Sequence, residues 1–125
     1  MLCDEIEIGK QYCQKDDYAI PSYITDNLKY PLYDWQRIAL ENFLINERHR
    51  SEQSKEDKAI VPNHLMFNMA TGSGKTLVMA ALILYYYKQG YRNFIFFVNQ
   101  NAILGKTQAN FIDTKHTKYL FKENV

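Results

Sequence analysis

A lysine–threonine pair that follows two alternating glycines is the stretch of this chain best suited to chemistry. It reads Ala70-Thr71-Gly72-Ser73-Gly74-Lys75-Thr76. Glycine adopts positive φ at no steric cost, so Gly72 and Gly74 let the backbone curl closely around an anion. The N–H groups of Thr71 through Gly74 would then point into one concavity, backed by the partial positive charge of a helix N-terminus. Lys75 is expected to reach the β- and γ-phosphates of a bound nucleotide, and Thr76 to offer its hydroxyl to Mg²⁺. The strict pattern has glycine six residues before the lysine. Met69 stands there in this chain.

Such a loop must be held between a strand and a helix. His64–Met69 is an apolar run of strand length, and Lys75–Gln89 is an apolar helical run that Gly90 would stop. Asn93–Val98 reads as a second buried strand. Two strands flanking one helix predict parallel neighbours joined by a right-handed crossover, an α/β architecture. Asn99-Gln100-Asn101 follows the second strand at the edge where open α/β sheets bind ligands. Asn101 is expected to cap a helix running to about Ile112. With Lys106 one or two turns on, Asn99, Gln100 and Asn101 are candidate holders of a nucleic-acid phosphate. The plain alternative is that the asparagines only cap strand and helix.

Upstream, Asp34–Glu47 predicts a helix with Asp34 as N-cap and an apolar face of Trp35, Ile38, Ala39, Phe43 and Leu44. Gln36 lies about 100° from Trp35 around the helix and is expected to be free to meet a ligand. A carboxamide offers a donor and an acceptor side by side, matching adenine N6 and N7. Tyr30 would stack on that base, or pack in the core. The thirteen residues Asn46–Lys58 carry no apolar side chain and read as a mobile connection, so residues 46–59 are expected to be a loop. In the N-terminal segment, residues 1–29, Ile6-Glu-Ile8 suggests a short strand and Pro21–Leu28 a short helix. Asp113–Val125 is weakly patterned.

The formal charge of +1 is unevenly spread. Residues 1–59 hold twelve acids and eight bases, a net of −4; residues 60–125 hold seven bases and two acids, a net of +5. The second half therefore suits a polyanion, although so few charges also fit an ordinary solvated face. Cys3 and Cys13 show no CxxC spacing and read as free thiols of a cytoplasmic protein. No signal peptide and no membrane span are visible. No carboxylate occurs from Ile60 to Ile112. A nucleotide hydrolase of this kind needs an acid at the end of a further strand to hold Mg²⁺ and help activate water. The chain is accordingly expected to stop short of that element, and by itself to be inactive.

The segments Tyr30-Pro-Leu-Tyr-Asp-Trp-Gln36-Arg-Ile-Ala-Leu and Met69-Ala-Thr-Gly-Ser-Gly-Lys-Thr76 resemble the Gln motif and motif I of superfamily 2 helicases. Phe94-Ile-Phe-Phe-Val-Asn-Gln-Asn101 sits where their motif Ia sits, with Asn99 and the Gln100-Asn101 pair in place of the usual Pro and Arg. The closest likeness is to the DEAD/DEAH-like helicase subunits of type III restriction enzymes, over Tyr30 to about Phe121. This resemblance implies a truncated RecA-like ATP-binding domain over residues 30–125. It also implies DNA-dependent ATP hydrolysis driving translocation or unwinding in the full-length protein, a DNA-methyltransferase partner, and possible endonuclease activity elsewhere in that protein. The competing class is a P-loop phosphotransferase acting on a small molecule. The helix carrying Gln36 separates the two, because such kinases need nothing before the loop's strand.

Overall fold

The computed structural model describes residues 6–8, 11, 18–57, 64–98 and 100–122. From residue 18 on, the described residues form four α-helices: α1 (Ser22–Asn27), α2 (Asp34–Asp57), α3 (Lys75–Lys88) and α4 (Asn101–Phe111). α3 is the centre. Its Leu77, Val78, Ala80, Ala81 and Leu84 are buried against α1 and α2. Ala80 and Ala81 lose all solvent contact, so the small side chains let the helices approach closely. Ile24 of α1 and Leu40 of α2 complete the contact, each burial worth about 1.5–3 kcal/mol. Gly90, at φ 104°, terminates α3 as the sequence predicts. The N–H of Gln89, Gly90 and Tyr91 close back onto the carbonyls of Tyr85, Tyr87 and Tyr86.

The tyrosine triplet at the end of α3 is packing. Tyr85 and Tyr86 meet Phe43 of α2 edge-to-face, with ring centroids 5.1 and 5.8 Å apart, and Tyr86 meets Tyr91 in the same way. Burial pushes the Tyr85 hydroxyl pKa up, so it stays neutral.

The expected parallel sheet is corrected. Among the described residues there is no strand, and the sole bridge is an isolated antiparallel one between Leu28 and Phe121. The segments read as strands, His64–Met69 and Asn93–Val98, carry no regular secondary structure in their described residues. A strand needs a neighbour to satisfy its N–H and C=O groups, and these two do not pair with each other. Their side chains alternate. Leu65, Phe67 and Met69, like Phe94 and Phe96, are half-buried, while Met66 is 91% and Phe97 93% exposed. One face of each segment rests on the helices, as where Phe96 stacks on Phe111 at 5.2 Å. Burial on one side only is the second departure from the doubly covered strands that an unbroken apolar run predicts.

Three further expectations change. α2 does not end near Glu47 but runs 24 residues to Asp57, so residues 46–57 of the expected loop are helical. That stretch lacks apolar residues, yet Glu, Gln, Arg and Lys are good helix formers. Arg48 pairs with Glu52 one turn on, and Arg50 grips Glu47 through two bonds of 2.9 and 3.2 Å. The Glu47 hydrogen bond raises the Arg50 pKa further, against the opposing effect of burial. Residues 6–8 are helical rather than a strand. The weakly patterned tail contributes to the core, with Leu120 and Phe121 buried against Leu28. Lys29 N–H donates to Leu120 O, and Lys122 N–H to Asn27 O. Cys3 and Cys13 lie outside the described residues.

Candidate functional site

The loop between Met69 and α3 has the predicted backbone. Gly72 and Gly74 take φ of 81° and 76°, and Gly74 is the left-handed N-cap of α3. Ser73 N–H and Oγ both donate to Ala70 O, closing the turn. Among the described residues, no backbone acceptor meets the N–H groups of Gly72, Gly74, Lys75 or Thr76. Unpaired donors at a helix N-terminus, flanked by two positive-φ glycines, form a site for an anion. Lys75 is exposed, and its Nζ donates to Met69 O at 3.1 Å and Ala70 O at 2.9 Å. These bonds use carbonyls, not side chains, so Met69 serves here in place of the glycine of the strict pattern.

Gln36 is placed differently from its expectation. It is 1% exposed, and both ends of its carboxamide are engaged. Oε1 accepts from Tyr33 N–H at 2.9 Å; Nε2 donates to Ser73 O at 3.2 Å and Gly74 O at 3.1 Å. One buried face of α2 is Gln36, Leu40, Phe43 and Glu47, spaced four, three and four, and Ile45 is buried on the opposite side. The Gln36 face is thus turned from the apolar face read in the sequence, leaving Trp35 and Ile38 each 52% exposed. The reason is polar. A carboxamide with three local partners is satisfied inside, whereas an indole has one N–H to place. Trp35 Nε1 donates to Ser73 O at 3.0 Å, and Tyr33 stacks on the indole with centroids 4.7 Å apart. Sequence reasoning missed this contact because an aromatic at helical spacing reads as core. The available signal was its position beside Gln36 in the first turn of α2.

Between Trp35, Ile38, Ala39 and Asn42 of α2 and Asn68, Met69, Ala70 and Ser73 lies an open cavity of about 460 Å³. Asn42 Oδ1 is buried without a partner among the described residues. Tyr30 is tied elsewhere: its hydroxyl donates to Thr117 O, and Lys29 Nζ lies 5.8 Å from its ring centroid. The expected cap at Asn101 moves back one residue, since Gln100 is the N-cap of α4 and makes no side-chain cap bond. Gln100, Asn101 and Lys106 are exposed; Asn99 lies outside the described residues. Among the described residues, no group of three or more His, Cys, Asp or Glu is placed to hold a metal ion, and no helix is long and apolar enough to cross a membrane.

Residues 29–125 match the family model described as type III restriction enzyme, res subunit. A curated relative, the probable type III restriction-modification enzyme HindVIP Res subunit of Haemophilus influenzae, is 54% identical over 112 residues. That alignment covers 90% of this chain and 22% of the relative, so the chain spans about a fifth of the relative's length. No solved structure matches the chain.

Proposed function

Since the chain belongs to the Res-subunit family of type III restriction enzymes, we propose that it supplies the nucleotide-binding loop of an ATP-dependent helicase or translocase that acts on DNA. One observation carries this reading: unpaired N–H groups of Gly72, Gly74, Lys75 and Thr76 at the start of α3. They fit the oxygens of a polyphosphate. Lys75, exposed and held by two carbonyls, is free to exchange them for the β- and γ-phosphates. Thr76 is the loop's hydroxyl for Mg²⁺, which when bound neutralises charge developing on the phosphate oxygens. The water-activating acid is expected from another part of the intact protein. Asn99, Gln100, Asn101 and Lys106 would meet the DNA backbone without reading bases. By analogy with the restriction-modification relative, a DNA-methyltransferase subunit is the expected partner.

The test is ATP hydrolysis by the full-length protein with its methyltransferase partner, with and without duplex DNA. DNA-stimulated hydrolysis is expected. The same rate on a small-molecule phosphoryl acceptor and no response to DNA would point to a phosphotransferase instead. The 125-residue chain alone is expected to bind ATP without steady turnover, because it has the phosphate cradle and no carboxylate from Ile60 to Ile112 to hold Mg²⁺ and activate water. Steady phosphate release from a clean preparation, lost in Lys75→Ala, would refute this.

Gln36→Ala removes the donor to Ser73 and Gly74 and leaves Tyr33 N–H without its acceptor. The expected cost in nucleotide affinity is about 1–3 kcal/mol, equal for ATP, GTP and CTP, because the lost bonds go to the loop. Competition titrations measure it. A loss confined to ATP would assign Gln36 to the base.

A further inference from the structure

Two adjacent carbonyls of the loop, Ser73 O and Gly74 O, are held by side chains from the first turn of α2. Ser73 O accepts from both Trp35 Nε1 and Gln36 Nε2, which fills its two lone pairs, and Gly74 O accepts from Gln36 Nε2 and Leu77 N–H. No peptide bond among the described residues is cis. In a trans peptide plane the N–H points opposite to the C=O, and the plane is rigid. Holding Ser73 O toward α2 therefore turns the N–H of Gly74 the other way, and holding Gly74 O does the same for Lys75. These are two of the four N–H groups left for an anion.

Trp35 is half-exposed, so little of its ring serves the core. The contacts that fix it are the 3.0 Å bond to Ser73 and the Tyr33 ring stacked on it at an interplanar angle of 16°. We propose that Trp35 is a positioning residue of the phosphate loop, whose indole N–H, acting with Gln36, aims the Gly74 and Lys75 amides at the nucleotide's phosphates. Tyr33 holds the indole in that rotamer. The proposal rests on the reading that this loop binds a nucleoside triphosphate.

The experiment uses the full-length protein with its methyltransferase partner and DNA. It compares wild type, Trp35→Phe, and a variant with benzothienylalanine at position 35, which keeps the bicyclic ring and lacks the N–H. ATP kinetics are measured, together with the inhibition constant of tripolyphosphate, which has no base. Loss of one hydrogen bond that orients donors predicts a rise of roughly three- to ten-fold in KM and in the tripolyphosphate constant. Little change in kcat is expected, since the amides hold ground state and transition state alike. The benzothienyl variant keeps the Tyr33 stack and the packing, so a fold defect in Trp35→Phe leaves the comparison intact. Wild-type constants in the benzothienyl variant would overturn the proposal while leaving nucleotide binding in place. A rise for ATP without one for tripolyphosphate would overturn it too, placing Trp35 at the base. Absence of ATP binding by the wild type would remove the underlying reading and the proposal with it.

Discussion

Lys75→Ala is expected to abolish ATP turnover in the full-length protein while the fold survives. The side chain is exposed, and the bonds that its Nζ makes go to the carbonyls of Met69 and Ala70. Ala70 O keeps two further donors, Ser73 N–H and Oγ, after the change. The turn therefore stands without the lysine. What is lost is a compact positive charge that can leave the carbonyls for the transferring phosphate, and an arginine is a poor replacement because its fork is planar and larger. Removing one such preorganised group typically costs about a hundred- to a thousand-fold in rate. The measurement is phosphate release at saturating ATP, with a melting curve to confirm folding. Hydrolysis within a few-fold of wild type in a folded Lys75→Ala protein would mean that the loop does not act on phosphate.

Gly74→Ala is expected to damage both stability and nucleotide binding, and to do so more than Gly72→Ala. Both glycines have positive φ, which costs a residue with a Cβ about 1–2 kcal/mol. Around Gly72 there is nothing within 4 Å of the added carbon. At Gly74 the added carbon collides with Gln36 Nε2, a group buried and bonded on both sides. Relieving the collision means breaking the carboxamide's bonds, about 1–3 kcal/mol more. Urea unfolding of the two variants should therefore differ by that amount. The double variant Gly74→Ala/Gln36→Ala should be more stable than the sum of the single effects, since the second change removes the obstacle to the first. Strict additivity would show that Gln36 yields at no cost, and that it does not hold the loop.

Much of the loop is legible in the sequence, because its information is local. Positive-φ glycines at positions 72 and 74, a lysine at the right offset and a helix stopped by Gly90 each follow from conformational preference over a few residues. The length of α2 is less legible. Its second half has no apolar periodicity, and only the propensities of its residues, with pairs such as Arg48–Glu52, argue for helix. Leu120 and Phe121 escape notice for a related reason. Two apolar residues in a short tail make no pattern, yet Phe121 bridges to Leu28 from the far side of all three longer helices.

The sequence by itself determined the phosphate loop, the helix that follows it and the family, since each rests on residue types at short spacing. Tertiary structure alone decided the rest. It left the apolar runs 64–69 and 93–98 unpaired, because a strand exists only where a neighbour accepts its backbone bonds. It turned α2 so that Gln36 rather than Trp35 faces inward, because the carbonyls of Ser73 and Gly74 lie where one buried carboxamide amine donates to both. Those carbonyls stand 37 and 38 residues further along the chain, and no periodicity within the helix records what waits across from it.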